Sequence, residues 1–422
     1  MTIATSTSVE TAKIQAGDTR GTPKLRYLLQ VNPPTPAELR ARGDHLVPFI
    51  PMEALGEDGS LETTRERPVG ELLTGYSYFA DGDVLMAKVT PCFENGKAAL
   101  VRAIPGGHGF GSTEITTLRA NKGLEPAFLY YLVRSDHFRQ SSIASMTGAG
   151  GLKRVPDEHI RSFEVSVPSE VEQRSIAEFL DRETAKIDAL IDKQEQLIAT
   201  LREERQSVVS SALSGYPTIP LHRLVDPARP MSYGILQCGE HVEDGIPYIG
   251  PSDMPGRGDS PALDRLRRTS PEIADQYRRS VVQGGDIVVS IGPAYGKVAL
   301  LTDDLSGSNL TQDTVRVAPV QSSIDPDFLV WALGSYEAES FWDAEITGAT
   351  FRRLNLGTLG QTPIPLPDLT TQQDIRNRLE ATTANVDTLI DKSAEMIKVL
   401  REYRSALITN AVTGKIDVRE AV

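Results

Sequence analysis

A stretch that occurs twice limits what this chain can fold into. Residues 168–215, PSEVEQRSIAEFLDRETAKIDALIDKQEQLIATLREERQSVVSSALSG, return without a gap at 367–414 as PDLTTQQDIRNRLEATTANVDTLIDKSAEMIKVLREYRSALITNAVTG. The offset of 199 residues brings Leu190-Ile191-Asp192-Lys193 onto Leu389-Ile390-Asp391-Lys392, and Leu201-Arg202-Glu203 onto Leu400-Arg401-Glu402. Solenoid repeats recur every 20 to 50 residues or so, so an offset this long marks duplication of a whole module.

Both copies read as single long helices. Ser169 with Glu172 three residues on forms a capping box behind Pro168, Asp368 is placed as an N-cap behind Pro367, and Gly215 and Gly414 stand where a left-handed C-cap is wanted. Between the caps Leu180, Ile187, Leu190, Ile191, Leu197, Ile198, Leu201, Val208 and Ala212 recur at three- and four-residue steps. Leu379, Val386, Leu389, Ile390, Met396, Ile397, Leu400, Leu407 and Ala411 do the same. Each apolar stripe needs another helix to cover it. A capped helix of about 45 residues is about 70 Å long, against a globular mean of about 12 residues, so neither suits the core of one small domain. The short linker 216–220 predicts antiparallel pairing, a rod with a globular domain at each end and a pseudo-twofold between them.

The regions ahead of the helices share landmarks in the same order. Pro247-Tyr248-Ile249 answers Pro48-Phe49-Ile50, and the Gly285-Asp286 strand answers Gly82-Asp83. Gly296-Lys297 answers Gly96-Lys97, Asp325-Pro326 answers Glu125-Pro126, and Thr347-Gly348-Ala349 with Arg352 and Arg353 answers Thr147-Gly148-Ala149 with Lys153 and Arg154. The expected fold class is α+β, with two similar mixed α/β domains separated by two long antiparallel, coiled-coil-like helices. The expected boundaries are a flexible tail over 1–22, a first globular domain over 23–167, a helix over 168–216, a second globular domain over 217–366, a helix over 367–415 and a tail over 416–422.

Composition narrows the function. A net charge of −13 counts against a chain that wraps nucleic acid unaided, because phosphate binding leaves a basic footprint. Cys92 and Cys238 lie far apart and suggest reduced thiols rather than a disulfide framework or zinc site. The polar first twenty residues look unlike a signal peptide, and no apolar run is long enough to span a bilayer, which points to the cytoplasm.

With this order of parts, and LID and LRE cores in both helices, the chain resembles the DNA-specificity (S) subunit of type I restriction-modification systems over nearly its whole length. The resemblance implies two target recognition domains, each reading one half of a split sequence on double-stranded DNA. It makes the helices the spacer and the docking site for two methylation subunits, with Leu190, Ile191, Leu201, Leu389, Ile390 and Leu400 as the helix positions concerned. It also implies that S-adenosylmethionine, ATP and magnesium belong to the methylation and restriction subunits, leaving this chain without a cofactor or metal of its own.

No catalytic centre is legible. Asn32-Pro33-Pro34-Thr35 approaches an adenine-methyltransferase motif, but Thr35 replaces the aromatic residue that would stack on the flipped base, and no glycine-rich loop precedes it. Gly96-Lys97 and Gly296-Lys297 lack the rest of a Walker A sequence, and the histidines show no metal-binding spacing. The DNA-contact candidates are cations and hydroxyls at matching positions: Lys97 and Lys297 in turns, and Thr147, Lys153, Arg154, Thr347, Arg352 and Arg353 around the two Thr-Gly-Ala loops. Phe93 and Tyr295 beside the turns complete the set. The competing expectation is a coiled-coil scaffold whose globular ends bind other proteins.

Overall fold

The computed structural model describes residues 22–149, 151–256, 258–346 and 353–418. The amino-terminal tail lies almost wholly outside them, as do Thr347 and Arg352. The chain divides into two compact units, one made of residues up to Lys193 together with Met396 onward, the other of Gln194–Glu395.

The first unit contains β1 (Leu29–Val31), β2 (Leu46–Ile50), β3 (Glu66–Pro68), β4 (Ser77–Ala80), β5 (Val84–Ala87), β6 (Ala98–Leu100), β7 (His108–Gly111), β8 (Ile115–Ala120), β9 (Thr147–Ala149) and β10 (Leu152–Arg154). Its short helices are α1 (Ala37–Arg40), α2 (Val69–Leu72), α3 (Pro126–Arg134), α4 (Asp136–Ser145) and α5 (Asp157–Ser162), and the long α6 (Glu170–Leu213) follows. One antiparallel sheet has the order β1-β8-β5-β6, and a second, β3-β2-β7-β4, has β2 and β7 parallel. Side chains alternate across β5. Val84 and Met86 join the main core with Phe128, Leu129 and Leu132 of α3, while Leu85 and Ala87 face a second core containing Ile50, Phe79 and Ile115. Because both faces are covered, Val84–Ala87 is apolar throughout.

The second unit repeats this plan with β11 (Thr218–Pro220), β12 (Ser232–Tyr233), β13 (Ile246–Ile249), β14 (Arg268–Thr269), β15 (Ile287–Ser290), β16 (Val298–Leu300), β17 (Asn309–Leu310), β18 (Thr314–Val317) and β19 (Pro363–Pro365). The helices are α7 (Pro271–Gln276), α8 (Pro326–Leu333), α9 (Tyr336–Ile346), α10 (Leu356–Gln361) and the long α11 (Leu369–Val412). The sheet β12-β18-β15-β16 matches β1-β8-β5-β6 strand for strand, and β13 runs parallel to β17 as β2 does to β7. Ile287 and Val289 face α8 and Val288 faces the smaller core with Ile249 and Leu310, the same alternation as in β5.

The long helices carry the caps expected of them. The Ser169 backbone N–H donates to Glu172 Oε2 at 3.1 Å, and the Glu172 N–H donates to Ser169 Oγ. Asp368 Oδ1 accepts from the Thr371 N–H at 3.0 Å. Gly215 and Gly414 have φ of 83° and 70°, a region that a side chain disfavours and a helix terminus needs. Each helix is shared between the units. In the first, Ile176, Ala177 and Leu180 of α6 pack with Ile408, Ala411 and Val412 of α11; in the second, Val209, Ala212 and Leu213 pack with Ile375 and Leu379. Within either unit the two helices run antiparallel. Burying one leucine such as Leu180 or Leu379 contributes on the order of 2 kcal/mol.

The apolar stripes are narrower than the sequence suggests. Of the pairs Leu190/Ile191, Leu197/Ile198, Leu389/Ile390 and Met396/Ile397, the second member is buried each time and the first is exposed. A helix side that meets one antiparallel neighbour covers a strip too narrow to take both adjacent positions, which are about 100° apart around the axis.

Several polar residues that hold the units together have duplicated with the helices. Gln173 is fully buried: its Oε1 accepts from the Glu125 N–H at 2.7 Å, and its Nε2 donates to the Gly123 and Pro168 carbonyls. Gln372, 199 residues later, does the same for the Asp325 N–H and the Ser323 and Pro367 carbonyls. One side chain thus fixes both a helix start and the loop leading into α3 or α8. Asp188 of α6 pairs with Arg404 of α11 at 3.0 Å in the first unit, and Arg205 of α6 with Asp387 of α11 at 2.9 Å in the second. The partners exchange helices between the units because the same two positions are used in both copies.

Candidate nucleic-acid interface

The Gly-Asp strands prove to be anchors. Asp83 and Asp286 are buried, and each is held by a two-pronged guanidinium. Arg119 donates from Nε and Nη2 to Asp83 at 2.7 and 2.6 Å, and Arg229 donates from Nη1 at 2.8 Å and from Nη2 to Asp286. The same carboxylates accept from the Ala80 and Gln283 backbone N–H groups, closing the turn into β5 or β15. The Asp83 carboxylate holds the Arg119 guanidinium above its usual pKa by hydrogen bonding.

In the first unit, the strands of this sheet end beside the most open cations of the candidate set. β9 and β10 form an antiparallel ribbon, with Arg154 opposite Thr147 and Lys153 opposite Gly148. Leu152, Lys153 and Arg154 are all exposed, and neither cationic side chain has a hydrogen-bond or ion-pair partner among the described residues. Gly148 is obligatory here: its φ is 148°, and a Cβ would sit 2.3 Å from the Leu152 carbonyl oxygen. The ribbon is tied to the end of β5 through Thr90. The Thr90 N–H donates to the Lys153 carbonyl at 3.0 Å, Thr90 Oγ1 donates to the Gly151 carbonyl at 2.8 Å, and the Val155 N–H donates to the Lys88 carbonyl at 2.9 Å. This brings Lys88 beside Lys153 and Arg154, a neighbour for which the sequence carries no local signal. Lys97 is half-buried on the turn before β6, which Arg139 braces by donating to the Glu94 carbonyl.

Other candidates are structural. Phe93 is 2% exposed and packs in the main core, so its ring is not available to a base; an aromatic beside a strand turned inward because the turn needed an apolar floor. Tyr295 is half-buried and donates its hydroxyl to Asp343. Lys297 Nζ donates to the Pro251 and Met254 carbonyls at 2.9 and 3.3 Å. Arg353 spans the Gln312 carbonyl at 2.7 Å and the Asp313 carboxylate at 3.1 Å. In the second unit, then, the described turn and loop cations brace the protein itself. Among the helix positions, Ile191, Leu201 and Ile390 are buried and Leu400 is partly buried by helix pairing, whereas Leu190 and Leu389 remain exposed at 48% and 49%. Met396, Val399 and Tyr403 extend the exposed apolar side of α11.

Asn32 is accounted for without chemistry. Its Oδ1 accepts from the Thr117 N–H at 3.0 Å and its Nδ2 donates to Asp157 at 3.1 Å, which secures the end of β1. No group of His, Cys, Asp or Glu among the described residues is arranged to hold a metal, and no helix there is long and apolar enough to cross a membrane.

A family model described as the type I restriction modification DNA specificity domain matches residues 78–199 and again 240–398, once in each half of the duplication. The chain belongs to this specificity family. Among its relatives, the type I restriction enzyme EcoBI specificity subunit of Escherichia coli is 27% identical over 303 residues, covering 65% of this chain and 63% of that subunit. The EcoEI specificity subunit of the same organism is 32% identical over 171 residues, 40% of this chain and 28% of the relative. The chain thus aligns with less than two thirds of the length of these relatives. A chain from a structural study of complex assembly and conformational transition of the type I R-M system shares the fold at a TM-score of 0.62. It is 19% identical, with 93% of this chain and 97% of that one covered.

Proposed function

We propose that this chain is the non-catalytic specificity subunit of a type I restriction-modification complex, reading a bipartite sequence on double-stranded DNA and gathering two methylation subunits and the restriction subunits around its helices. The observation that carries this reading is the anchored, exposed ribbon of the first unit, with Lys153 and Arg154 unengaged and Lys88 beside them. A two-stranded ribbon fits the major groove, where arginine meets guanine O6 and N7 and lysine meets phosphate. The exposed Leu190, Leu389, Met396, Val399 and Tyr403 suit a partner that buries apolar side chains on the helices. S-adenosylmethionine, ATP and magnesium then belong to the partners, and the setting is cytoplasmic.

The test is reconstitution. With methylation subunits, the chain is expected to direct adenine methylation to one split sequence; alone it is expected to bind DNA weakly and methylate nothing. Methyl transfer by the isolated chain, or assembly with no DNA sequence preference, would sink the reading in favour of an enzyme or a protein-binding scaffold. Leu190→Asp and Leu389→Asp are expected to weaken assembly while leaving each unit folded.

A further inference from the structure

The second unit has a cleft of about 380 Å³ between β12 and the segment from α7 to Ser280. We infer that this cleft is where the second unit contacts its own half of the DNA target, with Tyr233 and Arg279 as the contacting side chains. The inference rests on the DNA-reading role proposed above and specifies where half of that reading takes place.

The cleft is built from its buried side. Arg316 of β18 is 5% exposed, and its guanidinium donates from Nη1 to the Val281 carbonyl at 2.7 Å and from Nη2 to the Pro230 carbonyl at 2.9 Å. One fork thereby holds both walls, because Val281 follows Ser280 directly and Pro230 stands two residues before Ser232. Backbone pairing of Ser232 with Arg316 and of Tyr233 with Val315 fixes the first wall. The second wall rests on Asn309, fully buried, which accepts from the Ser280 hydroxyl and donates to the Ala274 carbonyl at 3.3 Å. These buried hydrogen bonds hold the two walls in place.

On these fixed walls, two side chains are left open. Tyr233 is 47% exposed. Arg279 is exposed and has no acceptor among the described residues, whereas its neighbour Arg278 is paired with Asp275 at 2.9 Å. An exposed aromatic ring and an unengaged guanidinium lining one cleft are suited to sugar and base faces together with a phosphate or the guanine edge. A carboxylate on a partner protein would use the guanidinium but gain little from the ring. The first unit has no equivalent clamp: Thr117 stands at the position of Arg316, and its backbone is bonded to Asn32. Among the described residues, the Arg316 fork is therefore particular to the second unit.

The experiment uses the full chain assembled with its methylation subunits and duplexes altered in one half-site at a time, alongside mapping of methylated adenines. Tyr233→Ala and Arg279→Ala are each expected to lower discrimination about tenfold at one half-site only, and Lys153→Ala with Arg154→Ala at the other. Arg316→Lys, which keeps the charge but not the fork, is expected to reproduce the half-selective loss of the cleft variants. Unchanged discrimination in Tyr233→Ala and Arg279→Ala, or equal loss at both halves, would overturn the inference. So would lost assembly with unaltered DNA preference, since the cleft would then grip a protein. If the unaltered complex shows no sequence preference, the proposed function itself fails, a result distinct from failure of the cleft.

Discussion

The two units solve the same problems with different residues, and the differences separate the shared scaffold from the outer surface. Both bury an aspartate at the entry of the central strand, but Asp83 is met by Arg119 from the neighbouring strand and Asp286 by Arg229 from a loop. Ala318 stands where Arg119 does, so the counterion of Asp286 comes from the loop, while Arg316 of β18, in register with Thr117, braces a surface cleft. In the first unit, Arg134 is buried and donates to the Asp58 carbonyl at 3.2 Å, pinning the loop that follows α1 and β2. At the matching place in the second unit stands Gly334, and Gly258 lies so close to Val330 that a Cβ would come within 2.5 Å. By contrast Gln173 and Gln372 bind equivalent backbone groups in both copies. Interactions that join helix to domain have been kept, and those that shape the outer surface have diverged.

Removing the buried carboxylates is expected to have the largest effect. Asp83→Ala and Asp286→Ala each leave a guanidinium unpaired and a turn unclosed, and are expected to cost about 3 kcal/mol in their own unit. Hydrogen exchange resolved by unit reads the result; equal loss in both units from either substitution would show that the units do not melt separately. Gln173→Leu and Gln372→Leu strand buried backbone groups and are expected to cost about 2 kcal/mol each. Because the two glutamines do the same work, a large difference between these variants in denaturant midpoints would contradict their equivalence.

Smaller effects test the surfaces. Lys153→Ala and Arg154→Ala are each expected to weaken DNA binding by about 1 kcal/mol, and removing one cation from a phosphate should lower the slope of log affinity against log salt by about 0.9. Lys297→Ala removes a cation that braces its own unit, so it should disturb stability more than that slope. The smallest expected effect is on pH dependence. Burial, with His45 and Arg42 nearby, holds His108 below its usual pKa, and burial does the same to His159; both lie in the first unit. A base with a depressed folded pKa binds fewer protons folded than unfolded. Its contribution is therefore present above about pH 6.5 and lost as pH falls through the folded value. Melting between pH 7.5 and 5 should weaken the first unit, and His108→Leu should flatten part of that dependence.

How much was legible follows from how each residue acts. The helices, their caps and the duplication could be read from the chain because capping and apolar periodicity are local, and Ser169, Asp368, Gly215 and Gly414 act within a few residues of themselves. Gln173, Gln372, Asp188 and Arg205 left a trace too, since each recurs at an offset of 199 in Gln372, Gln173, Asp387 and Arg404, but a repeat alone does not say what a polar side chain touches. The side of each Leu-Ile pair that faces the partner helix had no local signal.

The order of two mixed domains and two long helices is legible along the chain, because it depends on interactions between near neighbours. Which cations stay free depends on contacts between distant segments. Lys97 and Lys297 occupy the same turn and Arg154 and Arg353 the same loop, yet Lys297 and Arg353 meet carbonyls and a carboxylate brought up from 40 or more residues away. Arg316, silent in the chain, became a clamp for the same reason: its acceptors lie on segments 86 and 35 residues distant, and only folding puts them within reach of one guanidinium.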